Sequence, residues 1–219
     1  MTSYHIINKL FLQMKHLKLF FGSIILISLL GAAACNKDTK TDPKPDPVDT
    51  SKAILKVNEL MTKDTIGLVY IDVNGKKCDW SEFYNAGSKD LDIAGYYIAD
   101  DGESSADADK YEIPSGNSKA TTIKAKSYLV IVWGAKDANG QDYTGIHNDT
   151  IFCPSSLSAK KDKAVAVWDK TGKFIDESEN FTVDGPLGKL PDGKSIGRLP
   201  DGTDNWKLFD IPTPGAKNQ

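Results

Sequence analysis

From residue 53 onward, apolar residues occur in short runs separated by turn residues, without a sustained 3.6-residue period. Runs of four to eight residues with this pattern are typical of β-strands. They predict strands at residues 54–60, 68–73, 76–84, 95–99, 128–133, 164–168 and 173–176. Asn74-Gly75 predicts a two-residue hairpin turn between the second and third strands, and residues 169–172 predict another turn. Short strands at this spacing predict an all-β sandwich or barrel.

The first 34 residues have a different pattern. Residues 19–34 are uncharged, follow Lys15 and Lys18, and end in small residues directly before Cys35. Sixteen residues are fewer than the roughly 20 that a membrane-spanning helix needs, so a secretory signal is favoured. Small residues before a Cys resemble the lipobox of a bacterial lipoprotein, which implies cleavage before Cys35 and lipid on its thiol. An ordinary signal peptide with an incidental Cys35 is the alternative, and Met14 is a second candidate for the true start.

Residues 35–52 contain three Pro, many charged residues and almost no apolar side chains. Such a segment cannot bury a core, so we expect a disordered tether that reaches on the order of 45 Å. No Asp directly follows Cys35, which disfavours retention on the inner membrane of a Gram-negative cell. The lipoprotein resemblance therefore implies a lipid-anchored protein of the outer membrane that faces the periplasm or the cell surface.

The charge balance disfavours nucleic acid as a partner. Residues from Cys35 onward contain 24 Lys and Arg against 30 Asp and Glu, a net charge of −6. An acidic chain has no general attraction for phosphate backbones. His147 is the only histidine in this part of the chain, which disfavours a His-rich metal site.

Several segments in the predicted sandwich resemble the lamin tail domain family. Asp-Trp-Ser-Glu-Phe-Tyr-Asn-Ala-Gly at 79–87 is similar to the family's D-W-x-E-L-Y-N-x-G, and residues 90–101 to its D-L-S-G-Y-x-L-S-D-D. The family's remaining segments, which include S-x-G-R-x-P-D-G and P-T-P-G-A, fit residues 111–116, 127–130, 164–176, 195–202 and 206–216. The resemblance spans 53–217 and implies an immunoglobulin-like β-sandwich. This domain would follow the predicted signal peptide (1–34) and tether (35–52).

Particular residues are expected to have structural roles in that sandwich. We expect Trp80, Trp133, Trp168 and Trp206 to be core residues. We expect Gly87, Gly95 and Gly197 to adopt backbone angles closed to other residues. Ser81 stands where the family usually has an apolar side chain, which leaves the burial of this strand start open.

Two cysteines remain once Cys35 is assigned to the lipid. An exported compartment permits a disulfide between Cys78 and Cys153. Two separate buried thiols are the equal alternative, because the sequence does not place the two Cα atoms. A nucleophilic Cys153 with His147 as its base is a third, much weaker hypothesis.

Acidic residues at Asp100, Asp101 and Glu103 are weak candidates for calcium ligands. They lack the spacing of a calcium loop, as does the stretch 137–142, so solvated loops are favoured. The sequence offers no catalytic set and calls for no cofactor. We therefore expect a cell-envelope lipoprotein that displays a non-catalytic lamin-tail-type module for binding or scaffolding, with an extracellular protein or polysaccharide as its partner. The alternative is a Ca²⁺-dependent extracellular hydrolase, or an accessory domain that binds polysaccharide or extracellular DNA.

Overall fold

A computed structural model describes residues 54–219. The predicted signal peptide, the tether and Cys35 lie outside the described residues. Short helical turns are formed by the 3-10 helix Asp107–Asp109 and by α1, Ser118–Thr121. In the described range, none of the helices is long and apolar enough to cross a membrane. The strands are β1 Leu55–Met61, β2 Asp79–Asn85, β3 Leu91–Asp92, β4 Tyr97–Ala99, β5 Tyr111–Glu112, β6 Thr122–Ile123, β7 Tyr128–Trp133, β8 Gly145–His147, β9 Thr150–Cys153, β10 Ala166–Trp168, β11 Phe174–Glu177, β12 Ser195–Arg198 and β13 Trp206–Phe209.

Two facing sheets enclose the main core. The larger sheet has the order β13-β12-β1-β2-β7-β9-β8, and the smaller has the order β11-β10-β4-β5; β3 and β6 form a separate pair. Both sheets contribute buried residues to one cluster, including Val57 and Phe83 from the larger sheet and Ile98 and Val167 from the smaller. The prediction of an all-β, immunoglobulin-like sandwich is therefore confirmed.

Most predicted strands are present, but residues 68–73 do not form one. Only an isolated bridge between Ile71 and Lys77 forms there. The predicted two-residue Asn-Gly turn is also wrong, because the loop has three residues, 73–75: the Asp72 N–H donates to the Lys76 carbonyl and the Gly75 N–H to the Asp72 carbonyl, both at 2.9 Å. The loop is longer because the Asp72 side chain accepts the backbone N–H groups of Asn74 and Lys76.

Three turns within residues 54–219 share one hydrogen-bonding pattern. In each, a glycine with φ between +77° and +83° donates its N–H to the carbonyl of an Asp three residues earlier. The carboxylate of that Asp accepts two further backbone N–H groups. This side-chain to backbone pattern is a common reason for Asp in turns. The turns lie at 72–75, 137–140 and 169–172, so the stretch 137–142 is a turn built by Asp137.

Three of the four tryptophans are buried as predicted, and the fourth is not. Trp80, Trp133 and Trp168 are at most 3% exposed. Trp206 lies half-buried at the edge of the core, with the Arg198 guanidinium 4.7 Å from its ring centre. Trp206 lies on the edge strand β13 and packs against the core without being enclosed by it. Ser81 is fully buried and accepts a hydrogen bond from the Trp133 indole at 2.8 Å, which explains a polar residue at this position.

The glycine prediction holds for Gly95 alone. Gly95 has φ +76°, in the left-handed region that other residues avoid. Gly197 has no such angle; instead, a Cβ there would lie 2.7 Å from the Asn218 side chain and 3.0 Å from the Asn58 carbonyl. At Gly87 a Cβ would lie 2.6 Å from the side chain of Ile54, which is 55% exposed and can move aside.

Candidate functional site

A cavity of about 510 Å³ opens where β4, β7 and β9 end. We call it the acidic cavity, because four Asp and two Lys provide the charged groups of its lining. Its volume lies within the range of small-ligand sites in proteins. The excess of carboxylates suits a cationic or polyhydroxylated ligand better than an anion. The lining consists of Ile98, Ala99, Asp100, Asp101, Asp109, Lys110, Tyr111, Trp133, Cys153, Pro154, Ser155, Lys161 and Asp162.

Burial and mutual repulsion raise the pKa values of carboxyls in and beside the acidic cavity. Burial raises the pKa of Asp162 to about 6, reinforced by the charge of Asp100 and opposed by the N–H that Ser158 donates. Burial also raises the pKa of Asp100, with Asp101 as the nearest like charge. Next to the cavity, burial raises the pKa of Asp79 to about 7. A cation bound here would therefore compete with protons near neutral pH.

The structure separates the three candidate calcium ligands. Asp100 and Asp101 line the acidic cavity, half-buried and exposed respectively. Glu103 is exposed and is tied to the smaller sheet by its backbone N–H, which donates to Glu177 at 2.7 Å. Across residues 54–219, no three His, Cys, Asp or Glu side chains converge closely enough to hold a metal ion.

Both remaining cysteines are free, buried thiols. Asp79, next to Cys78, pairs with Trp133, and Trp133 pairs with Cys153. Two inter-strand spacings of about 4.8 Å place the cysteine Cα atoms more than about 9 Å apart, beyond the reach of a disulfide. The disulfide alternative is therefore wrong for this structure. Burial raises the pKa of Cys78 to about 11 and that of Cys153 further still.

Cys153 and His147 do not form a catalytic pair. The His147 ring stacks on Tyr143 at 4.0 Å and lies edge-on to Phe152 at 5.8 Å. Phe152 and Cys153 are consecutive strand residues, so their side chains point to opposite faces of the sheet. Cys153 belongs to the main core, whereas Phe152 belongs to a separate cluster.

A shallow groove of about 300 Å³ adjoins the acidic cavity on the outer face of the smaller sheet. Lys110 lines both and places its ammonium 4.3 Å from the centre of the buried Trp168 ring. The groove is otherwise lined by Tyr97, Asp107, Lys170, Thr171 and Gly172. Cavity and groove together form one surface of charged and aromatic groups.

A buried polar network that was not predicted from the sequence surrounds Arg198, the only arginine of the chain. Arg198 is 2% exposed, and its five N–H groups make five hydrogen bonds. Its Nε donates to the Val57 carbonyl at 2.7 Å, and Nη2 donates to Asp176 at 2.9 Å and to the Glu177 carbonyl. Nη1 donates to the Thr203 carbonyl and to Asp204. The Arg of the S-x-G-R motif therefore joins β1, β11 and the turn after β12.

Two buried glutamates hold the C-terminal segment against the larger sheet. Glu59 and Glu82 are opposite one another on β1 and β2 and are fully buried. Glu59 accepts the N–H of Thr213 at 3.1 Å, and Glu82 accepts the N–H of Gly215 at 2.6 Å. Burial raises the pKa of Glu82 to about 8. The P-T-P-G-A motif therefore supplies backbone donors that add to those of Ser195 on Glu59 and of Asn58 on Glu82.

The motifs that carry the resemblance thus have structural roles in the sandwich. A family model described as Lamin Tail Domain matches residues 50–182, more than half of the chain. No curated protein matches the chain significantly. Strands β12 and β13 follow the matched range but belong to the same sheet, because β12 pairs with β1 and β13 pairs with β12. The chain belongs to the lamin tail domain family.

Proposed function

We propose that this protein is a cell-envelope lipoprotein that presents its lamin tail domain as a non-catalytic binding or scaffolding module. The observation that carries the proposal is the order of its parts: a basic start, 16 uncharged residues, Cys35, a Pro-rich polar segment and then the sandwich. Several acyl chains on one residue hold a protein stably on a membrane, whereas one chain does so only marginally. The net charge of −6 from Cys35 onward gives the chain no general attraction to an anionic bilayer.

The structural roles of the motifs that resemble the family support a non-catalytic module. Arg198, Gly197 and Gly215 close the sandwich, and the Cys153 thiol is buried with a raised pKa. A thiol in that state is a poor nucleophile. These residues therefore stabilise a surface on which a partner binds, and the fold alone does not identify that partner.

Detergent phase partitioning of the full chain expressed in a Gram-negative host tests the anchor. The wild type should enter the detergent phase, and Cys35→Ser should leave it and lose lipoprotein-type cleavage. Asn36→Ser, at the neighbouring position, is the matched control and should partition like the wild type. If Cys35→Ser still enters the detergent phase, and the wild type lacks the mass of acyl groups, the lipoprotein proposal is wrong.

The acidic cavity and adjoining groove favour an accessory role in polysaccharide binding as the second candidate. Polyhydroxylated chains are bound by carboxylates and aromatic faces, and both are present on this surface. The four Asp of the cavity lining disfavour DNA. Calorimetric titration with Ca²⁺ and a panel of glycans, compared between wild type and Asp100→Asn, tests this candidate. Heat signals that are identical for the two proteins would reject the cavity as the site.

A further inference from the structure

The loop that follows β1 exposes an unusual group of aliphatic side chains. We call residues 66–73 the apolar loop. Ile66, Leu68, Ile71 and Val73 are 70%, 41%, 48% and 69% exposed. Four large apolar side chains in eight residues form a patch of the kind that marks an interaction surface.

The apolar loop is held in place by its own polar groups. The Asp64 carboxylate accepts the N–H groups of Ile66, Gly67 and Leu68. Tyr70, in the middle of the loop, packs edge-on against Phe152 with 4.8 Å between ring centres. These contacts hold the backbone of the loop in place. The exposed aliphatic side chains project from that backbone into solvent.

The exposed charges of the loop and its flanks are positive. Lys63 and Lys77 are exposed, whereas Asp64 and Asp72 are 4% and 5% exposed and accept backbone N–H groups. Nearby exposed carboxylates are paired with lysines: Asp192 with Lys63 at 2.6 Å, and Asp142 with Lys136 at 2.6 Å. Apolar side chains flanked by lysines suit the interface of an anionic bilayer, where the chains enter the headgroup boundary and the ammonium groups contact lipid phosphates.

The position of the apolar loop is compatible with an anchor at Cys35. The loop follows the last residue of β1, Met61, whereas the described chain starts at the other end of that strand. A seven-residue strand is about 24 Å long. The 18 residues between Cys35 and Ile54 span at most about 60 Å. An anchored chain therefore allows the loop end of the domain to reach the same membrane, where tethering raises its effective concentration.

We propose that the apolar loop inserts into the interface of the anionic bilayer that carries the protein, as a second membrane contact beside the lipid on Cys35. The inference rests on the proposed lipoprotein function for the presence of the tether. Insertion would fix the orientation of the domain, with the loop end against the membrane and the end that bears Ser88 directed away from it.

Fluorescent labelling of the full chain, reconstituted in vesicles, tests this orientation. An environment-sensitive dye is placed on Val73→Cys, and on Ser88→Cys as the matched control; Cys78 and Cys153 are buried and are not labelled natively. Vesicles of phosphatidylethanolamine and phosphatidylglycerol are prepared with and without spin-labelled lipid quenchers. The Val73 label should shift to the blue and lose about half of its emission to the quenchers, as an interfacial group does. The Ser88 label should be unaffected.

Ile66→Ser combined with Leu68→Ser, in the Val73-labelled chain, should abolish most of this quenching. Both replaced side chains are exposed, so the fold does not depend on them. Quenching at Ser88 instead of Val73, or equal quenching at both, overturns the proposal. A blue shift that rises with protein concentration without lipid quenching also overturns it, because a second copy would then cover the loop. Intact mass separates the two hypotheses: absence of acyl groups refutes the anchor, whereas an acylated chain with an unquenched Val73 label refutes only the loop.

Discussion

Replacing Arg198 with alanine should cost a large part of the stability of the domain. Arg198 is the chain's only arginine, and it is fully buried with five hydrogen bonds. Its removal leaves the carboxylate of Asp176, which is 2% exposed, with the Lys56 ammonium at 3.5 Å and the Val57 N–H at 3.0 Å. Removing one member of a buried ion pair typically costs about 3–5 kcal/mol.

Urea unfolding followed by tryptophan fluorescence measures this cost. With a urea dependence of about 2 kcal/mol per molar, the midpoint should fall by roughly 2 M. Arg198→Lys should restore little, because one ammonium cannot replace a planar group with five N–H donors. Lys63→Ala breaks the exposed pair with Asp192 and is the matched control, with a midpoint that should stay at the wild-type value.

The pH dependence of the stability deficit, which is the free energy of unfolding lost in Arg198→Ala, distinguishes an unpaired Asp176 carboxylate from lost packing. In the wild type, burial already raises the folded-state pKa of Asp176 to about 6, above its unfolded value of about 3.9, although the charges of Arg198 and Lys56 oppose this rise. In Arg198→Ala, this pKa should rise further. A raised carboxyl pKa favours the folded state at low pH, and this stabilisation is lost as pH rises through the folded pKa. The deficit should therefore be smaller at pH 5 than at pH 8, and Asp176→Asn in the same chain should remove the difference. A deficit that is equal at both pH values, or a midpoint shift no larger than that of Lys63→Ala, would refute this reasoning.

Three further predictions concern the stability of the domain and the reactivity of its thiols. Burial raises the folded-state pKa of Glu82 to about 8, so the free energy of unfolding of the wild type should fall by up to about 4 kcal/mol as pH rises from about 5 to 8. Urea titrations of Glu82→Gln should show a smaller dependence of this free energy on pH. Trp206→Ala should lower the free energy of unfolding by about 1–2 kcal/mol, and Trp133→Ala by about 3–5 kcal/mol, because only Trp133 is fully buried. Equal melting temperatures for the two variants would contradict this expectation. Cys78 and Cys153 should resist a thiol reagent in the native protein and react fully in denaturant without reductant, whereas two unreactive positions in denaturant would show a disulfide.

Strand β7 was predicted well because side chains on both of its faces are buried, Ile131 in the main core and Val132 in a separate cluster. β7 occupies residues 128–133 as predicted, because a run of apolar residues suits an interior strand of a large sheet. Residues 68–73 are similarly apolar but pair only at the Ile71–Lys77 bridge, and at the start of this run the Asp64 carboxylate accepts the Leu68 N–H that a strand would use. Hydrophobicity alone does not distinguish an apolar strand from an apolar exposed loop.

The buried polar network was not predictable from local pattern. Glu59 and Glu82 lie in strands, where a polar residue usually marks the solvent face. Here the C-terminal segment covers that face. The Gly215 N–H donates to Glu82, 133 positions away, and the Thr213 N–H donates to Glu59, 154 positions away. The resemblance placed these motifs in the domain, but only the fold shows that backbone N–H groups of the last segment satisfy the two carboxylates.

The intact mass of the mature protein, purified from Gram-negative membranes, tests the central claim most directly. The lipoprotein account predicts a chain that begins at Cys35 and carries the added mass of a diacylglyceryl group with or without a third acyl chain, with the modification located on the N-terminal residue by fragmentation. A mature chain that begins at another residue, or a Cys35 with the mass of an unmodified cysteine, would contradict it.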